Sequence, residues 1–207
     1  VCGICHENAD GNELRKSPSP PHEIALNREE ALTLLSDDKL LKSYLCNKLF
    51  RRELFNGIRF PQGRTFEDVA VMHLLVARAQ RVVVTPDCKY HYVIRKGSIT
   101  DLRYKPVKEY DYFFSMYERA CFFADAEQAP AAIGAFLKKA VRFADHLFLA
   151  ANTSQHKAML NEVLAKMHEF DSCRIQLSVG LRAKRMLLYY CLPLYRAGYR
   201  LTKGLLR

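Results

Sequence analysis

Residues 172–207 contain no acidic side chain, although the whole chain carries 22 Asp+Glu against 32 Lys+Arg. Eight basic residues lie in that stretch (Arg174, Arg182, Lys184, Arg185, Arg196, Arg200, Lys203 and Arg207), leaving 24 basic and 22 acidic residues in the first 171. The net charge of +10 therefore belongs mostly to a tail, which argues against a nucleic-acid binder with basic charge spread over its folded surface. Long hydrophobic runs are also missing. The longest uncharged apolar stretch, 186–195, is broken by Pro193, whereas a bilayer-spanning helix takes about 20 apolar residues. The first residues show neither the charged nor the apolar region of a secretory leader, and Val1 stands where a start Met would, so a piece of a longer protein is expected. Seven Cys at 2, 5, 46, 88, 121, 173 and 191 form no disulfide framework, which suits a reducing compartment. Nine Gly and eight Pro are too few for a disordered or collagen-like chain, and 49% hydrophobic residues suffice for a packed core.

Residues 1–5 read as a strand that enters a hairpin at Asn8-Ala9-Asp10-Gly11-Asn12. A Ser/Pro loop occupies 16–21. Asn27, followed three residues later by Glu30, forms a capping-box pattern ahead of Ala31, Leu32, Leu34 and Leu35 and predicts a helix that Ser36-Asp37-Asp38 ends. Residues 44–57 predict a short helix or turn. A second helix is expected from Glu67, where Val69, Met72 and Val76 recur at helical spacing. Residues 81–85 and 89–94 read as strands joined by Pro86-Asp87. From Pro106 the pattern is helical, in segments near 106–126, 130–151, 155–170 and 174–207. The expected organisation is a mixed α/β part over 1–101, a helical region over 102–171 and a basic amphipathic tail over 172–207.

Several constellations carry possible chemistry. Cys2-Gly3-Ile4-Cys5-His6 has the spacing of a haem attachment or half a zinc site, but no second Cys/His pair completes four ligands, and a buried strand with two thiols is the plainer reading. Glu67-Asp68 opens a helix just after the Pro61-Gln62-Gly63 loop, a place suited either to capping or to a general base facing a cleft. Arg95, Lys96, Gly97 and Ser98 follow a strand and could wrap a phosphate, or form a solvated turn. In the tail, Arg196, Arg200, Lys203 and Arg207 fall within an arc of about 60° on a helical wheel, with Leu194, Leu201 and Leu205 opposite. Arg182 and Arg185 extend this stripe if the axis survives Pro193. A helix of this kind fits an anionic membrane surface, or packs its apolar side on the body.

Asn47-Lys48-Leu49-Phe50-Arg51-Arg52-Glu53-Leu54-Phe55, then Ile58 to Gly63, Phe66-Glu67-Asp68-Val69, Tyr90-His91-Tyr92, and Arg95 with Ser98-Ile99-Thr100 occur in that order. The set resembles the acceptor-side half of bacterial family 2 glycosyltransferases with the GT-A fold, which build cell-surface polysaccharides. The resemblance covers about residues 1–101 and implies a partial α/β GT-A domain without its N-terminal Rossmann-like half, followed by α-helices. It further implies transfer of a sugar from a nucleotide-diphosphate sugar to an acceptor hydroxyl of a glycan or lipid-linked acceptor. Asp68 would be the base, Glu67 would orient the acceptor or the base, Asn47 and Lys48 would line the acceptor side, Arg95 and Ser98 would close on the diphosphate, and His91 would stand near the metal. The family's divalent metal, Mg or Mn, is held by an Asp-x-Asp motif that these 207 residues lack, and Asp37-Asp38 ends a Leu-rich helix instead of a strand. The chain alone is therefore expected to be inactive, with activity belonging to its parent protein, cytoplasmic and peripheral at the inner face of the membrane. Where the family often has Trp before the Asn-Lys pair, this chain has Cys46. The alternative is a non-catalytic membrane- or partner-binding module derived from a truncated transferase; no nucleic-acid partner is expected.

Overall fold

The turn at residues 8–12 is built by one side chain: Asn8 Oδ1 accepts from the backbone N–H of Asp10 at 3.1 Å and of Asn12 at 2.8 Å, an Asx turn. It joins β1 (Gly3–Glu7) to β2 (Glu13–Lys16) as the antiparallel hairpin expected there. A computed structural model describes residues 1–36, 40–95, 106–149, 153–195 and 197–198 of this hairpin-initiated chain, side chains at 149 excepted. Asp37-Asp38, Lys96, Ser98 and Thr100, and Arg196, Arg200, Lys203 and Arg207 lie outside the described residues. The chain is mixed α/β and divides into two compact units, Val1–Tyr104 and Lys105–Arg207.

In the first unit, β3 (Ile24–Asn27) runs directly into α1 (Arg28–Ser36). The capping box forms as the sequence indicates: Asn27 Oδ1 accepts from Glu30 N–H at 3.0 Å, and Glu30 Oε2 accepts from Asn27 N–H at 2.8 Å. After a 3-10 turn at Arg52–Phe55, α2 spans Glu67–Arg78, followed by β4 (Arg81–Val84) and β5 (Cys88–Val93). The two last strands enter different sheets. β4 pairs antiparallel with β3, whereas β5 pairs parallel with β1 to give the order β2-β1-β5. Gly3 is needed at this junction, because a Cβ there would stand 2.8 Å from Cys88 Sγ and 3.3 Å from the Asp87 carbonyl oxygen.

The core of this unit holds the site segments in place. Ile58, Ala70, Val71 and Leu75 form a buried cluster, and Leu45, Phe50, Leu54 and Phe55 pack against it. Arg78, at the end of α2, donates to the carbonyls of Leu54 (3.1 Å) and Asn56. The 45–58 segment, irregular as it is, is thus fastened along one side of α2.

The second unit contains α3 (Pro106–Phe122), α4 (Ala129–Leu149), α5 (Ser154–His168) and α6 (Val179–Tyr190). Phe113, Tyr117, Phe136, Phe143 and Phe170 form an aromatic core with ring centroids 5.4 to 5.9 Å apart in the pairs centred on Phe113 and Phe136. Thr153 and Ser178 cap α5 and α6 through their hydroxyls, accepting from His156 N–H at 3.2 Å and Leu181 N–H at 3.3 Å. α6 ends at Tyr190: Cys191 leaves the helical region (φ −137°, ψ 45°), two residues before Pro193. Arg185 does not extend the tail's basic stripe, since it turns inward to the Asp171 carboxylate and the Tyr189 hydroxyl. Among the described residues, no helix is long and apolar enough to cross a membrane.

Candidate functional site

The loop that delivers α2 turns at Gly63 (φ 78°) and then passes through Phe66, the one non-glycine residue with positive φ (60°) among the described residues. A left-handed conformation at a bulky aromatic costs on the order of 1–3 kcal/mol and persists only where surrounding packing imposes it. Phe66 is the N-cap of α2 and has no capping side-chain hydrogen bond, so Glu67 and Asp68 are the carboxylates at the helix's positive end. Glu67 is exposed. Asp68 is half-buried, and its Oδ1 accepts from the Val69 N–H at 2.8 Å.

Asp68 acts on a residue of another segment. Its charge acts on the thiol of Cys46, to which the Tyr90 side chain on β5 is hydrogen-bonded and near which Lys48 also lies. Desolvation pushes the Cys46 thiol above its ordinary range; the Tyr90 hydrogen bond and the Lys48 ammonium oppose that, and Asp68 adds to it. The Tyr90 phenol is pushed up in turn, first by Cys46 and then by desolvation. The Cys46 thiol is thus the group on which Asp68, Lys48 and Tyr90 act together. Cys46 and Tyr90 were not among the expected site residues, since nothing in their local sequence announces that β5 comes to lie beside residue 46.

Asn47 and Lys48 are tied to the frame. Asn47 is buried; its Nδ2 donates to the Cys2 carbonyl at 2.6 Å, and its own carbonyl accepts from Cys2 N–H at 2.9 Å. Lys48 Nζ donates to Asn47 Oδ1 at 2.9 Å and to the Tyr44 carbonyl at 2.5 Å. Asn47 thus anchors the loop to the start of β1 and holds the lysine ammonium over the segment.

His91 is placed differently. Neighbouring residues of a strand face opposite sides of the sheet. Tyr90 faces Cys46, and His91 faces the side where its Nδ1 meets the Glu7 carboxylate. Arg95 is exposed just beyond β5. No Asp-x-Asp occurs in these residues, and the described group able to hold a metal is Cys5, Glu7 and His91. A set containing a thiolate does not suit Mg or Mn on a diphosphate, which call for oxygen ligands. The residues present therefore do not fit the diphosphate clamp.

No family model matches the chain. Over 52 residues, 25% of its length, the chain is 44% identical to glycosyltransferase GlyG of Streptococcus pneumoniae serotype 4, of which the matched stretch covers 17%. The similarity supports a relationship to glycosyltransferases over that stretch.

Proposed function

We propose that this chain is the acceptor-side part of a family 2 glycosyltransferase of GT-A fold, which transfers a sugar from a nucleotide-diphosphate sugar to an acceptor hydroxyl in cell-surface polysaccharide synthesis. The observation that carries the reading is the half-buried Asp68 at the strained opening of α2, near enough for its charge to act on the thiol of Cys46, which Tyr90 of β5 hydrogen-bonds. The 52-residue similarity to a glycosyltransferase supports the reaction class.

In this reading the Asp68 carboxylate takes the proton of the acceptor hydroxyl as its oxygen bonds to the anomeric carbon. The bond from that carbon to the diphosphate breaks, and its electron pair leaves with the nucleoside diphosphate. One displacement requires one base and no protein nucleophile. Glu67, exposed on the same turn, orients the acceptor, and Lys48 supplies a fixed positive charge beside it. Arg95, just beyond β5, and Ser98 serve the diphosphate. The Asp-x-Asp that would hold the divalent metal of the parent enzyme does not occur in these 207 residues.

The same protein is proposed to work peripherally at the inner face of the cytoplasmic membrane, with anionic lipid as the partner of its tail. On α6, Val179, Met186, Leu187 and Tyr190 are exposed apolar residues. They fall within an arc of about 100°, flanked by Arg182 on one side and Lys184 on the other. An apolar stripe edged by basic side chains complements an anionic lipid surface. The reading is tested by incubating the full-length parent protein with a panel of nucleotide-diphosphate sugars, a divalent cation and membrane acceptor. Transfer of label from one donor is expected; no transfer from any donor contradicts it.

A further inference from the structure

The three-stranded sheet carries a second cluster, on the face of β5 turned away from Cys46. Cys5 and Glu7 alternate onto one side of β1, and the parallel register sets His91 directly across from Cys5. On the other flank, the antiparallel register sets Glu13 across from Glu7. The Cys5 sulfur, a Glu7 oxygen and a His91 nitrogen lie within 4.8 Å of one another. The Cys5 thiol donates to Glu13 Oε2 at 3.2 Å, and the Glu7 carboxylate is bonded to His91 Nδ1.

We propose that Cys5, Glu7 and His91 form a binding site for a zinc-class divalent cation, separate from the diphosphate metal of the transfer reaction. Thiolate, imidazole and carboxylate together are the donor set of Zn²⁺ and disfavour Mg²⁺ and Ca²⁺. Tetrahedral zinc with bonds of about 2.0–2.3 Å sets its ligand atoms about 3.3–3.6 Å apart, so side-chain rotations on the order of 1 Å close the cluster on the ion. The three ligands stand on paired strands, which limits the ordering that binding requires. Cys5 is 3% exposed while the His91 side chain is 60% exposed, so the ion enters from the histidine side and keeps a fourth position toward solvent, with Glu13 beside the sulfur. Without the ion, burial and the carboxylates of Glu13 and Glu7 push the Cys5 thiol up to about 11; binding sends its proton to solvent. The Cys2-x-x-Cys5-His6 spacing is not the site: Cys2 Sγ donates to the Asn47 carbonyl at 3.4 Å, and His6 lies against Tyr92 on the opposite face. The proposal does not depend on the transferase reading.

The test is titration of the chelator-stripped 207-residue chain with Co²⁺ and, in competition with a chromophoric chelator, with Zn²⁺. One equivalent of cobalt should develop a near-ultraviolet thiolate-to-cobalt charge-transfer band. Cys5→Ser should abolish the band, while Cys2→Ser and Cys46→Ser retain it. His91→Gln, an exposed change that spares the core, should weaken zinc binding by about tenfold or more; Glu7→Gln provides the same reading should Cys5→Ser fail to fold. Absence of a saturable band in the unaltered chain, persistence of the band in folded Cys5→Ser, or unchanged zinc affinity in His91→Gln would overturn the proposal.

Discussion

At the residue scale, Asn47 holds its loop in place, whereas Asp68 is proposed to react. The Asn47 carboxamide is buried and engaged on both sides, by the Cys2 carbonyl and the Lys48 ammonium. Asn47→Ala leaves the Cys2 carbonyl and the ammonium without that partner and should lower stability by about 1–3 kcal/mol, as measured by urea unfolding. An unchanged midpoint would mean that the loop is held by its backbone bonds alone. The place of Asp68 at a helix opening was legible from its dipeptide and the Pro/Gly loop before it, because helix openings leave a local mark. The contact of Cys46 with Tyr90 was not legible: it is made through pairing of β5 with β1, and no local pattern encodes which strand β5 joins. His91 illustrates the same limit, since its partner Glu7 is 84 residues away.

At the scale of elements, helices were easier to read than strand partners. The reciprocal Asn27–Glu30 cap and the start of α2 at Glu67 follow from spacing within a single turn. β3 was missed because Ile24–Asn27 is only four residues long and merges into the helix pattern after it. The pairing of β4 with β3 is likewise a tertiary choice, in which both strands pack against α1. Leu75 sits in the cluster that joins α2 to the 45–58 segment and is 0% exposed. Leu75→Ala should therefore cost about 2–5 kcal/mol and release the site loop with it, observed as faster proteolysis near residue 50. For α6, the pair Met186→Glu and Tyr190→Glu puts acid into the exposed apolar stripe. Together they should reduce sedimentation with anionic vesicles by about tenfold or more, with little change in unfolding temperature, because both side chains face solvent. Equal vesicle binding by the double variant would assign lipid attachment to another surface, or to none.

At the scale of the whole molecule, charge is divided between a nearly neutral body and a basic end, and part of that end is neutralised by the fold. Lys184 pairs with Asp145 at 3.0 Å, and Arg185 with Asp171. Asp171 also accepts from His168 Nδ1 at 2.7 Å and lies by the Tyr189 hydroxyl at 3.3 Å, so it ties α6 to the end of α5. Burial works to raise the Asp171 carboxyl, but the His168 and Arg185 hydrogen bonds outweigh it and hold the group below the usual aspartate range. A carboxyl depressed in the folded state stabilises above its unfolded value of about 3.9 and loses that contribution as pH falls through its lower folded value. Asp171→Asn should thus unfold at a lower temperature than the unaltered chain at neutral pH, with the gap shrinking as the medium is acidified below about pH 4. A gap that stays constant with pH would show that the carboxylate charge contributes nothing.

Whether Asp68 is the base of a sugar transfer is decided by the turnover of the full-length parent protein carrying Asp68→Asn, measured beside its affinity for the donor. A fall in kcat of about 10²–10⁴-fold with donor affinity retained is expected. Turnover within a factor of a few of the unaltered enzyme would contradict it and leave Asp68 as a helix-opening carboxylate.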